Sequence, residues 1–374
     1  MGHAYTPGLK VRENAVLQKE RRLPLKGKVL VKQGQHVKAE EVVARTDLPG
    51  NVQLINIVNK LGILPEDIDE VMIKKAQDPV TKDEIIAQTN GLFGLFKSTV
   101  KSPVNGTMET ISNVTGQLII RETPIPVEVK AYIDGEVVEA SADEYAIIEA
   151  RATFIQGIFG IGGETIGEIK IVSSDPAAVL TPQDIPSDCR GKILVGGSLV
   201  THETVKQAIA NGARGIIVGG VNDWDIRGIL GYDIGVAITG SEDIGITLVI
   251  TEGFGQMTMA ARTFDLLKSR EGMKASISGA TQIRAGVMRP EVIIPLDNKA
   301  AAGATREESE GMLQMGTLLR IIREPHFGQL GKVSALPAEL QVLPTESKVR
   351  VLEVTLANNE KVILPRANIE IIEK

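Results

Sequence analysis

Residues 102–121 read SPVNGTMETISNVTGQLIIR and residues 131–150 read AYIDGEVVEASADEYAIIEA, and the two align without a gap, Gly106 on Gly135 and Leu118-Ile119 on Ile147-Ile148. Both alternate apolar and polar positions around a short polar break, the period of a half-buried strand. Both carry Asn-Gly or Asp-Gly, which supplies the positive φ of a tight turn. Each copy therefore reads strand, turn, strand. A second pair of copies lies upstream: Val29 to Ala44 matches Val71 to Ala87 with one inserted residue, and Gly34-Gln35 and Asp78-Pro79 mark their turns. Together the repeats make residues 23–172 a mostly β region, preceded by an arm over 1–22.

Downstream the pattern changes. Gly191 to Gly197 reads as a strand, Leu199 to Asn211 as a helix, and Gly212 to Gly220 as a turn and a second strand, a βαβ unit whose strands run parallel. A strand over Ile246–Ile250 and a helix over Met257–Arg270, with Met257, Ala260, Ala261, Phe264 and Leu267 at helical spacing, extend it into an α/β domain over 173–297. Between the two regions, the glycines from Gly157 to Gly167 lack the Gly-Lys-Ser/Thr of a phosphate loop and read as a bend at a domain junction. Residues 298–312 are small, polar and aperiodic, a linker, and 313–374 return to strand-like alternation. The expected fold class is thus multidomain and β-rich, with a central parallel α/β domain.

Three resemblances refine this. The segments Val80 to Ala87 and Val100 to Glu109 are similar to the barrel-sandwich hybrid of the RnfC subunit of bacterial electron-transport complexes, a fold shared with biotinyl and lipoyl carriers. Carriers of that fold bear their lysine in Met-Lys-Met or Asp-Lys-Ala, and neither tripeptide occurs here. RnfC itself holds cysteine-ligated iron–sulfur clusters, whereas Cys189 is the chain's single cysteine. No cofactor is therefore expected, neither biotin, lipoate, flavin nor iron–sulfur, and no metal. The stretch from Gly191 to Val218 resembles swivelling, protease-associated domains, which mostly bind. Leu318 to Val333 resembles a KOW motif, with Gly331 between strands, which implies an SH3-like barrel over 313–374 and contact with RNA, ribosomal protein or RNA polymerase.

The 374 residues carry 41 Lys and Arg against 47 Asp and Glu, a net charge of −6, so the chain taken as a whole lacks the basic excess of a nucleic-acid binder. Residues 1–38 run the other way, with nine cations from Lys10 to Lys38 against Glu13 and Glu20; their alternation with Val29, Val31 and Val37 reads as the wet side of a strand. In 313–374 four Lys and four Arg nearly cancel seven Glu, and Phe327 is the only aromatic, which favours a protein partner over base stacking. No run of eighteen apolar residues and no leader-like apolar core occur, so a cytoplasmic protein without a membrane span is expected.

Open α/β sheets bind ligands beyond the carboxyl ends of their strands. The polar residues expected there are Asn222, Asp223, Asp225, Arg227, Glu242 and Glu252, with Asp243 beside them, a carboxylate-rich set suited to a cation or cationic ligand, or to helix capping. Ser198, Thr201 and His202 lack a nucleophile elbow and suggest no catalysis. In the terminal barrel the expected partner contacts are Arg320, Arg323, Phe327, Leu330 and Lys332, on a module that the linker would let move. The function expected from these features is non-catalytic binding or assembly through β modules, by a protein partner or a second copy of the chain. The alternatives are an RNA-, ribosome- or RNA polymerase-associated factor and a ligand-regulated subunit or enzyme.

Overall fold

A computed structural model describes residues 9–90, 97–232, 242–281, 289–296, 315–321, 325–337, 340–342, 348–356 and 358–373. Strand makes up 47% and helix 14% of it, so the cores are built mainly from curled sheets.

The repeats seen in the sequence become two units with matching strand pairing and turns, one inserted in the other. In the outer unit Val37 pairs with Gly135; in the inner unit Val80 pairs with Gly106. The turns match as well: Gly34 and Gln77 are both left-handed, at φ 82° and 73°, and Lys32 N–H and Lys75 N–H donate to the side chains of Gln35 and Asp78. Ala39 N–H donates to Asp134 Oδ1 at 2.7 Å and Lys82 N–H to Asn105 Oδ1 at 2.8 Å, so Asp-Gly and Asn-Gly do the same work in the two units. Each hairpin carries a bulge at the matching place, between Val137 and Glu139 and between Met108 and Thr110.

The ungapped alignment needs one correction. Val137 pairs with Ile148 and Met108 with Ile120, so buried Leu118 and Ile120 correspond to buried Ala146 and Ile148. The turn in the outer unit, residues 141–144, is one residue shorter than 112–116 in the inner one, and a one-residue slip would have turned the core side chains outward.

Each unit has its own core, Val37, Val43, Val137 and Ile148 in the outer and Val80, Ile86, Met108 and Ile120 in the inner. Among the described residues the strands of the inner unit pair only with one another. It is joined to the outer unit by a ribbon in which Val42–Leu48 runs antiparallel to Ile125–Lys130.

Strand Tyr145–Gln156 belongs to two parts of the molecule: its first half closes the outer hairpin and its last five residues pair with Glu291–Pro295. The strands Phe159–Ile161 and Glu164–Ile171 likewise join the α/β sheet, pairing with Thr247–Phe254 and Lys192–Val195. The glycines between them serve close backbone approach, since a Cβ on Gly160 would lie 2.7 Å from Gly279 O. The parallel order Glu164–Ile171, Lys192–Val195, Gly215–Val221, Thr247–Phe254 carries the expected βαβ unit. Two of its helices, His202–Ala210 and Ala261–Ser269, are shorter than the sequence spacing suggested, and a third, Asp223–Leu230, lies where only polar strand-end residues were expected. Apolar clusters cover both faces, which is why Gly215–Val221 is buried along its whole length.

The C-terminal strands, Leu318–Ile321, Leu330–Ala335, Leu340–Val342, Lys348–Leu356, Lys361–Pro365 and Ile369–Glu373, form one curled antiparallel sheet over Leu319, Val333, Val354 and Ile369. The linker 298–312 lies outside the described residues. The sheet is nonetheless tied to the rest of the chain: Leu9 and Lys10 pair in parallel with Ile372 and Glu373.

Candidate functional site

The strand-end residues were expected to converge on a ligand. The structure separates them. Glu242 precedes Thr247–Phe254 and so sits at the amino end of the sheet, opposite Asn222 and Glu252. Asp225 is buried and accepts His202 N–H at 2.9 Å and Asn222 Nδ2 at 3.0 Å. It therefore caps the helix His202–Ala210, whose orphan N–H groups need an acceptor. Asp223 and Arg227 are exposed on the following helix. Ser198 is buried and donates to Ala177 O at 2.7 Å, and the His202 ring packs where Gly228 leaves room for it.

The crevice itself is filled by backbone. A Cβ on Gly219 would lie 2.0 Å from Met257 O, one on Gly220 2.0 Å from Gly255 O, and one on Gly197 2.2 Å from Ala178 O. These glycines admit the neighbouring loops rather than a phosphate.

Glu252 and Arg320, expected to serve two different sites, meet each other. Their side chains are 5% and 3% exposed. Arg320 Nη2 bonds the Glu252 carboxylate, and Nη1 donates to Glu252 O at 2.9 Å and Thr251 O at 3.4 Å. The other carboxylate oxygen accepts Ala260 N–H at 2.9 Å at the start of the helix Ala261–Ser269. Arg320 thus anchors the C-terminal sheet on the α/β strand ends and is turned towards its own chain. Nearby, the Phe327 ring approaches Gly253, and Gly328 lies against the Met257 methyl. Phe327 and Leu330 remain 39% and 37% exposed and Lys332 is exposed; Arg323 lies outside the described residues.

The feature that sequence reasoning missed is the outer edge of the inner unit. Leu9–Arg22 flanks the outer hairpin as Val52–Asn56 flanks the inner one. Gln18 and Glu20 oppose Glu149 and Ile147; Val52 and Leu54 oppose Arg121 and Ile119, the matching positions. Gln18 and Glu20 are exposed and polar, and Val52 and Leu54 are 47% and 58% exposed and apolar. Because Asn51 O accepts Glu122 N–H and Ile57 N–H donates to Gly116 O, the alternation of an antiparallel ladder directs the backbone groups of Val52 and Leu54 away from the sheet. Residues 51–56 carry no charge, whereas 18–22 read QKERR. The uncharged run over residues 51–56 is the one sequence signal that could have drawn notice to this edge.

No known family model and no curated protein sequence matches this chain. Among the described residues no helix is long and apolar enough to cross a membrane.

Proposed function

We propose that this chain is a non-catalytic binding or assembly protein and that its inner unit is the docking module, adding an extended, uncharged apolar segment of a protein partner to the strand Val52–Asn56. The observation that carries this reading is the internal comparison of the two units. Outward polar residues at Gln18 and Glu20 satisfy the fold of the outer unit, so the fold does not require Val52 and Leu54 to be apolar at the same places. Edge strands are ordinarily guarded by charge, and strand addition is the contact an unguarded edge offers, with main-chain bonds for affinity and alternate side chains for specificity. Five residues are short for a self-sufficient dimer interface, since stable ones bury about 1,200–2,000 Å²; a partner segment is therefore favoured over a second copy.

The test compares native-lysate capture by the full chain, by Val52→Lys/Leu54→Glu, and by Gln18→Lys/Glu20→Lys as the matched control, with sedimentation of each. Species lost only with the first variant support the reading. Equal capture by all three overturns it, as does a dimer broken by the first variant, which would make the occupant a second copy.

For the C-terminal sheet, the KOW resemblance sustains a second reading in which Phe327, Leu330 and Lys332 touch RNA, ribosome or RNA polymerase. Their exposure on one loop and strand supports it; Arg320 lends nothing to that face.

A further inference from the structure

A polar row crosses the sheet where the outer unit joins the α/β domain. Glu164 stands opposite Ser278, Ser278 opposite Glu291, and Glu291 opposite Gln156. Val11 opposite Ile155 then places Lys10 beside Gln156, whose Oε1 accepts the Lys10 N–H at 3.3 Å. Residues directly opposite one another in a sheet share a face, so side chains from five strands meet on one side. The neighbouring row, Ile277, Val292, Ile155 and Val11, is buried and apolar. The polar row lines a cleft of about 510 Å³, together with Lys19, Phe154 and Arg289.

The acceptors of this row are engaged, and its donors are not. Both oxygens of Glu164 take the Arg21 fork, at 2.7 and 2.6 Å, and both oxygens of Glu291 take Lys19 Nζ at 2.6 Å. Gln156 Oε1 holds the Lys10 N–H. Ser278 Oγ accepts the Ala280 N–H at 3.3 Å, which leaves its own proton for another acceptor. Lys10 makes no ion pair among the described residues, and the Gln156 amide nitrogen has no acceptor among them. Both groups are within reach of solvent, since both residues are only half-buried and neither nitrogen is enclosed. The charges agree: Lys10, Lys19 and Arg21 face two carboxylates, and Lys10 is the cation left over.

We propose that this cleft binds a phosphate monoester, its phosphate taken by the Lys10 ammonium, the Gln156 amide N–H and the Ser278 hydroxyl. Spare donors beside engaged acceptors call for an anion. An ammonium is a point charge that imposes no planar fork, and donors from three strands suit the several acceptor oxygens of a phosphate. The volume leaves room for an organic body of small-molecule size, and Gly163, exposed and with open space around it, leaves one wall without a side chain. The site is independent of the docking edge on the inner unit.

The experiment is calorimetric titration of the full chain with glycerol 3-phosphate, with glycerol as the uncharged control and succinate as the dicarboxylate one. Saturable binding of glycerol 3-phosphate is expected, weaker for succinate and absent for glycerol. Lys10→Met should weaken it at least about tenfold, the loss of a charge-assisted hydrogen bond, and Gln156→Glu, which puts a carboxylate in place of the amide donor, at least as much. Lys28→Met, at an exposed lysine of a separate strand, should leave it unchanged. Should Lys10→Met not fold, Gln156→Glu against Lys28→Met decides. The proposal is overturned if glycerol 3-phosphate does not bind, if succinate binds as tightly, or if Lys10→Met and Gln156→Glu leave the affinity unchanged. It is overturned as well if Lys28→Met weakens binding as much as they do, the result of a basic surface without a site.

Discussion

Replacing Arg320 by leucine tests whether the C-terminal sheet is held by the buried pair. The change leaves the Glu252 carboxylate, 5% exposed, with Ala260 N–H as its remaining described donor. Stranding one member of a buried pair costs about 3–5 kcal/mol, far more than the 0–1 kcal/mol of an exposed one. Glu252→Gln should cost less, because Arg320 Nη1 keeps the carbonyls of Glu252 and Thr251. The double variant Arg320→Leu/Glu252→Gln should recover most of the loss, a coupling of about 2 kcal/mol or more between the sites. Hydrogen exchange read by mass spectrometry reports this locally, without assuming that so modular a chain unfolds in one step. Protection over Leu318–Ile321 should fall about a hundredfold or more in Arg320→Leu and return in the double variant. A fall under about tenfold, or a double variant worse than both singles, would refute the argument that desolvation makes this pair an anchor.

The duplicated glycines should behave alike: a methyl on Gly106 would lie 2.1 Å from Arg121 O and one on Gly135 2.3 Å from Glu149 O, so Gly→Ala at either should cost about 2–3 kcal/mol in thermal melts. Gly34→Ala, at φ 82° with open space around it, should cost only about 1 kcal/mol, and a larger loss there than at Gly106 would undo the steric reading. Burial pushes the Glu40 and Asp134 carboxyls up, but the hydrogen bond from Lys274 and backbone N–H groups outweigh it, and both carboxyls titrate below their ordinary values. Burial pulls the Lys274 ammonium down, and its bonds to Asp134 and Glu40 outweigh that in turn, leaving its pKa raised. The depressed carboxyls contribute stability that is present above about pH 4 and lost as pH falls through their folded values, and the raised lysine contributes stability lost only at strongly alkaline pH. Lys274→Met should therefore cost up to about 1 kcal/mol at pH 7, these groups being partly exposed, and nothing at pH 2; an equal cost at both would exclude the ion pairs as its source.

Much of the architecture was legible in residue order because it depends on local period and turn chemistry. The strand-turn-strand copies, the βαβ unit and the C-terminal strands all follow from alternation and from glycines and Asn/Asp at turns, which act over a few residues. Even the pairing of Asn105-Gly106 with Asp134-Gly135 showed as text. The one-residue slip between Ile119 and Ile120 did not, since only the paired strand reveals which side chains face the core. Tertiary structure alone decided where long-range partners lay. Glu252 and Arg320 are far apart in the chain, and no pattern in either neighbourhood signals that each neutralises the other. The glycine-rich strand ends looked open as a sequence; the loops that fill them come from Ala178 and from Gly255–Met257, and steric exclusion between backbones closes the crevice. Val52 and Leu54 became a surface only once Gln18 and Glu20 were seen at the same places in the other unit. Local propensity acts through neighbours in the chain, whereas charge compensation and exposure are properties of neighbours in space.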